Sequence, residues 1–253
     1  IVFEAIAEAG ITRYVALYQE AKPTLIGPVR SLRPYFVSWI APFDASIAHV
    51  GGSKKALDEV RNGTYRDIDQ FFNADAYWRA NDRSPPHNVY TNFSRLDALN
   101  KAKKYTSSSF TSWERQDGEP IAAPDATSIS VDFSSANYNT KYTYNKKSNT
   151  YSRFLGGVAH LDREKGQITP SVVIAMIVDE TTVMEDGPRE LIQTNGKGTA
   201  YIFQNGTVQK ATWQKKSQKS QIQWLDSEGK AIALNRGQTW IAAVPSSGGR
   251  VSW

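Results

Sequence analysis

The chain has 253 residues, enough for one large domain or two of ordinary size, and 40% of them are hydrophobic, which suffices for packed cores. Its 30 basic and 25 acidic side chains leave a net charge of +5, a mildly cationic surface without the basic stripe of a nucleic-acid binder. Cysteine is absent, which excludes disulfides, thiolate metal ligands and a cysteine nucleophile, and no run of eighteen apolar residues exists to span a membrane. The sequence begins at Ile1 and not Met, which reads as a trimmed fragment.

Val2 to Glu8 is apolar enough for a buried strand, and Ile11 to Tyr18 is rich in β-branched and aromatic residues; Ala9-Gly10 between them predicts a tight hairpin. The densest punctuation follows in Gly27-Pro28-Val29-Arg30-Ser31-Leu32-Arg33-Pro34-Tyr35-Phe36. Ser31 is placed as an N-cap with Pro34 inside the first turn, and Leu32, Phe36, Trp39 and Ile40 fall on one helical face that Pro42 ends. Asp44 to Val50 reads as a short buried strand, and Gly51-Gly52-Ser53 leads from it into a helix from Lys54 to about Arg61. Asp67 to Phe72 and Ala74 to Ala80 are expected as short helices. Arg83-Ser84-Pro85-Pro86-His87-Asn88 is expected as a rigid extended loop, because consecutive prolines fix φ. From Ser94 a capped helix runs to about Lys104.

The composition then shifts. Ser107 to Pro124 is a polar, proline-marked connection, and beyond it the periodic segments have period two. Strands are predicted over Ser128 to Phe133, Lys141 to Tyr144, Thr150 to Phe154, Val172 to Val178, Glu190 to Thr194, Thr199 to Phe203, Thr207 to Trp213, Gln221 to Leu225, Ala231 to Leu234 and Thr239 to Val244. Turn signals stand at Asn205-Gly206, Glu228-Gly229 and Arg236-Gly237. The expected fold is α+β: an N-terminal α/β-like domain with short helices, residues 1–124, and a mostly antiparallel β domain, residues 125–253.

Gly27-Pro28-Val29-Arg30-Ser31-x-Arg33-Pro34-Tyr35, then His49-x-Gly51-Gly52-Ser53, resembles the signature of the YerB-like family of bacterial lipoproteins, a family of unknown function. Glu8-Ala9-Gly10-Ile11-Thr12-Arg13, Pro86-His87-Asn88-Val89-Tyr90-Thr91, Tyr151-Ser152-Arg153-Phe154, Gly157-Val158-Ala159-His160-Leu161-Asp162 and Gly237-Gln238-Thr239-Trp240-Ile241 extend the resemblance over nearly the whole chain. It implies a lipoprotein signal and an acylated cysteine upstream, an extracytoplasmic location, and membrane attachment through that anchor alone. It brings no activity. The chain departs from the family pattern at Thr169-Pro170-Ser171, where asparagines are usual, and at Leu32 in place of a usual alanine.

The candidate ligand-binding residues are Arg30, Ser31, Arg33, Asp44, His49, Gly51, Gly52, Ser53, His87, Asn88, Arg153, His160 and Asp162. Two guanidinium forks near a helix start match carboxylate and phosphate geometry, and a glycine turn before a helix offers backbone N–H groups to an anion. All three histidines lie in glycine- or proline-flanked segments; either each imidazole satisfies a local backbone group, or at least two of them converge with Asp44, Asp162, Arg30 and Arg33 around a cleft between the two halves. The alternative is a structural network in which the arginines bridge to Glu4, Glu8 or Asp44. His49, His87, His160 and Asp162 would form an N₃O zinc set, but His-Glu-x-x-His is missing and no local spacing supports it; no metal and no cofactor are expected. Ser31 and Ser53 lie outside Gly-x-Ser-x-Gly and Ser-x-x-Lys, and Gly196-x-Gly198 lacks the rest of a dinucleotide fingerprint. Trp39 and Trp240 are expected inside, Trp113 and Trp213 outside. The leading expectation is a monomeric, non-catalytic envelope protein that binds an anionic small molecule or envelope polymer, with no nucleic acid. An envelope hydrolase or transferase using the His/Asp/Arg cluster, and a structural partner of cell-wall proteins, stand as alternatives.

Overall fold

A computed structural model describes residues 1–185 and 187–253. Among the described residues the chain is mostly strand, with three α-helices, an α+β protein as expected. It divides into two compact units: Leu17–Thr111 with Gln218–Gln221, and Ile1–Ala16 with Ser112–Ser217 and Ile222–Trp253. The division does not run serially along the chain. The opening hairpin, β1 (Val2–Glu8) and β2 (Ile11–Ala16), belongs to the second of these units, because β1 lies parallel to a late strand with Val2 opposite Trp240 and Glu4 opposite Ala242. A split at residue 124 differs from these units in that hairpin, in residues 112–124 and in Gln218–Gln221. Parallel pairing needs a long crossover, which a local reading does not supply.

In the first unit, helix α1 (Pro34–Ile40) begins at Pro34, whose fixed φ suits the first helical position. The expected N-cap, Ser31, is therefore corrected to Arg33, which is extended (φ −132°, ψ 150°) as a residue before proline must be. β3 (Ser46–His49) is parallel to β4 (Arg66–Asp69), with His49 opposite Asp69, and α2 (Lys54–Val60) connects them. The expected helix at Asp67 to Phe72 is thus a strand followed by a 3₁₀ turn, Gln70–Phe72, that the Asp69 carboxylate caps by accepting Phe71 N–H. Ladder pairing with β3 overrides local helical preference here. The stretch Ala74 to Ala80 forms a 3₁₀ turn, Ala74–Ala76, and then β5 (Trp78–Arg79), which pairs with β6 (Val89–Tyr90). Helix α3 (Phe93–Ala102) is capped by Asn92, which accepts from Arg95 N–H at 2.9 Å, and not by Ser94. Ile68, Ala76, Tyr77, Val89 and Leu96 form the unit's buried cluster.

The other unit continues with β7 (Arg115–Gln116), β8 (Ser128–Asp132), β9 (Thr140–Asn145), β10 (Thr150–Leu155), β11 (Val158–Ala159), β12 (Leu161–Asp162), β13 (Gly166–Gln167) and β14 (Val172–Val178). After it come β15 (Glu180–Met184), β16 (Pro188–Ile192), β17 (Gly196–Gln204), β18 (Thr207–Lys215), β19 (Gln223–Leu225), β20 (Leu234–Asn235), β21 (Thr239–Pro245) and β22 (Arg250–Ser252). One sheet has seven strands in the order β19-β18-β17-β14-β21-β1-β2, antiparallel except that β14 and β1 both run parallel to β21. The other has five, β11-β10-β9-β8-β22, all antiparallel. Val2, Val173, Phe203 and Val244 of the first sheet meet Ile129, Val131, Tyr142 and Tyr151 of the second in one core. The β17–β18 hairpin turns on Asn205-Gly206 with φ of +60° and +81°, as that dipeptide predicts. Trp213 is buried, not exposed as expected, and donates its indole N–H to Ile177 O at 2.7 Å.

Candidate functional site

The strand–turn–helix that carries His49 and Gly51-Gly52-Ser53 is a closed network. Gly51 takes φ +59°, a left-handed backbone that suits glycine. At Gly52 a Cβ would come within 3.1 Å of Leu32 O, so the Arg30–Arg33 segment approaches this backbone closely. Leu32 N donates to Gly51 O, Ser53 N to Leu32 O, and Val50 N to Arg30 O. The anion in this turn belongs to the protein: the Asp69 carboxylate, 0% exposed, accepts Gly51 N–H at 3.0 Å and Arg61 Nη2–H at 2.8 Å.

His49 is 1% exposed. Its Nδ1 lies 2.8 Å from Gly51 O and its Nε2 2.9 Å from Asp67 Oδ1. Both partners are acceptors, so both ring nitrogens are engaged inside the protein. Burial works against the Asp67 carboxylate, yet the hydrogen bond and charge of His49, with Asp69 N–H and Arg61, hold its pKa below the ordinary value. Asp67, Asp69 and Arg61 escaped the sequence reading; the alternation Asp67-Ile68-Asp69, with one apolar residue between two acids, was the available strand signal.

The remaining candidates in this unit divide by exposure. Arg33 is buried and donates to Leu32 O at 2.7 Å, whereas Arg30 is half-buried and donates to Pro86 O. His87, on the same loop, is exposed, and its backbone N–H closes a turn onto Ser84 O. Asn88 is buried and structural, accepting from Arg79 and donating to Ala80 O. Asp44 sits in a left-handed turn (φ 49°) and holds Arg66 at 2.8 Å. Ser31 is half-buried, and the Ser53 hydroxyl is buried with no hydrogen-bond partner among the described residues.

The other unit holds a second buried cluster. Arg153 and Glu4, both 0% exposed, pair across the two sheets, with Arg153 Nη2 at 2.8 and 2.7 Å from the two carboxylate oxygens. Trp240 Nε1–H donates to Glu4 Oε2 at 2.7 Å, and the guanidinium lies 4.2 Å from the centroid of the same indole. Tyr142 OH accepts from Arg153 Nε–H, and Arg153 Nη1–H donates to His160 Nδ1. That bond needs a neutral ring with its hydrogen on Nε2. Burial, then the Arg153 charge, pushes the His160 pKa down to about 4, while burial and then Glu4 push Tyr14 up to about 12. Asp162 is exposed and accepts the N–H groups of Glu164 and Lys165 in a turn. An open depression of about 300 Å³ in this unit is lined by Ile6, Phe133, Glu180, Glu190 and Pro245 among others. Burial, then Glu190, pushes Glu180 up to about 7.

The His160 shift has a testable sign. The unfolded chain takes up this proton near the ordinary value of 6.5 and the native ring near 4, so stability declines as pH falls between them. Glu180, raised from 4.5 to about 7, contributes the opposite slope. The difference between native protein and His160→Gln is therefore the informative quantity. Urea midpoints measured from pH 7 to pH 4 are expected to fall more steeply for the native chain than for the variant.

Among the described residues no group of three His, Asp or Glu side chains could hold a metal ion. Among the described residues no helix is long and apolar enough to cross a membrane.

Models of a protein family of unknown function, DUF3048, match the chain in both parts: the N-terminal domain over residues 1–106 and the C-terminal domain over residues 129–241. The chain belongs to this family. It is 32% identical over 255 residues to the Bacillus subtilis (strain 168) protein named "Putative lipoprotein YerB", covering 97% of this chain and 74% of that one. The crystal structure of the YerB protein from Bacillus subtilis matches with a TM-score of 0.87 at 29% identity, over 100% of this chain and 86% of the other. The YerB-like resemblance seen in the motifs thus holds along the whole fold.

Proposed function

We propose that this chain is the folded part of an extracytoplasmic, membrane-tethered lipoprotein that works as a non-catalytic binding module for an anionic small molecule or envelope polymer. One observation carries the reading. The unit of Leu17–Thr111 and Gln218–Gln221 has 14 basic against 9 acidic side chains, a net +5, while the other unit has 16 against 16. The whole net charge of the protein therefore sits in the unit of the arginine–histidine motif, where it favours anionic partners. Arg30, half-buried and bonded to Pro86 O on the exposed His87 loop, is the donor proposed for the ligand, with the buried Arg33 and His49 as support.

The geometry favours binding over catalysis. His49 has both ring nitrogens engaged internally, and the Ser53 hydroxyl has no hydrogen-bond partner among the described residues, so these two do not form the nucleophile–base pair of covalent catalysis. Titration with inorganic polyphosphate, followed by calorimetry at two salt concentrations, tests the reading. Binding is expected to weaken with salt, and Arg30→Ala with His87→Ala is expected to lower affinity about tenfold, the loss of one charge-assisted contact. Unchanged affinity in a folded double variant would falsify the proposal.

A further inference from the structure

The 3₁₀ turn Gln70–Phe72 presents two adjacent phenylalanines to solvent, Phe71 at 67% and Phe72 at 71% exposure. Every other phenylalanine of the chain is buried or half-buried. These two are held outside by the buried network described above. Asp69 accepts Phe71 N–H at 3.2 Å, Asn73 Nδ2–H donates to Asp69 O at 2.7 Å, and Asn73 N–H closes the turn onto Gln70 O at 3.3 Å. The edge of Phe71 lies against Gly51, where a Cβ would meet Phe71 Cε2 at 3.1 Å. The Arg61 guanidinium sits 5.0 Å from the centroid of Phe72 while bonded to Asp69.

We infer that Phe71 and Phe72 form a foothold that inserts into the headgroup boundary of an anionic membrane surface. Two features select a lipid surface as the occupant. The rings are carried by the unit that holds the protein's entire net positive charge, which favours an anionic interface. The tether proposed above keeps the domain beside a bilayer, at an effective concentration in the millimolar range, where a two-residue contact too weak for capture from solution is still occupied. The inference rests on that tethered, cationic reading but not on the Arg30 ligand site.

The absence of cysteine makes the test clean. Ala74→Cys, at an exposed position next to the turn, is labelled with an environment-sensitive nitrobenzoxadiazole. The full chain is tethered by an N-terminal polyhistidine tag to zinc-charged chelating lipid in vesicles of phosphatidylglycerol and phosphatidylcholine. The label is expected to brighten about threefold, shift to the blue and be quenched by lipids brominated along the acyl chain. Phe71→Ser with Phe72→Ser is expected to abolish all three while tethering persists, and the single Phe72→Ser variant to reduce them. Arg30→Ala is expected to leave the signal unchanged, which separates failure of the ligand site from failure of the foothold. A label that reports the same environment with and without vesicles overturns the inference, as does a response that the double serine variant retains. A response that appears without lipid and grows with protein concentration overturns it in favour of self-association.

Discussion

Arg153→Met alone is expected to destabilise the β-rich unit by about 3–5 kcal/mol, because it strands the Glu4 carboxylate in the core between two sheets. Glu4 is 0% exposed, and its partners are Arg153 and the Trp240 indole. Removing the guanidinium leaves one neutral donor for a charge that is out of reach of water. Glu4→Gln should cost in the same direction, since Arg153 is then the unpaired ion, buried among Tyr142, Tyr14 and Trp240. The decisive variant is the double one. Glu4→Leu with Arg153→Met removes both charges together, and most of the loss is expected to return. Urea unfolding followed by tryptophan fluorescence and far-ultraviolet circular dichroism reads all three. A single variant that costs under 1 kcal/mol would mean that water reaches the pair.

Asp69→Ala is expected to cost about 3 kcal/mol in the other unit. This carboxylate accepts Gly51 N–H, Phe71 N–H and Arg61, and its partner strand carries His49 directly opposite. Its loss leaves two backbone donors unsatisfied and frees the 3₁₀ turn that presents the phenylalanines. Asp69→Asn should recover only part of the loss, because one amide oxygen replaces one of the two acceptors and the NH₂ group faces the Arg61 donors. Amide exchange at Gly51 and Phe71 is the direct measurement. Exchange at those two amides that matches the native protein would show that the turn does not depend on Asp69.

The strands of the second half were legible because each carries its own period-two pattern and is bounded by turn residues. Val172–Val178 coincides with its expected span, and the hairpin at Asn205-Gly206 turns where its dipeptide places it. The segments misread as helix, around Asp67 and Tyr77, are short and lack a clear period; there, pairing with Ser46–His49 and with Val89–Tyr90 decides. The arginine–histidine motif was visible as a site of dense polar constraint. Its chemistry was not, since Asp67 and Asp69, which occupy both His49 and the glycine turn, lie 18 residues from His49 or Gly51.

Sequence alone settled what is local or compositional: the absence of cysteine, the period-two segments, the glycine and proline turns, and the motif string that marks the family. Tertiary structure alone decided which charges answer one another. Glu4 meets Arg153 across 149 residues and Trp240 across 236, and the opening hairpin joins a sheet made mostly by the second half. The reason is physical. A strand's period is written in consecutive side chains, but a buried carboxylate selects its partner by distance and desolvation in the folded core, and neither quantity is encoded by spacing along the chain.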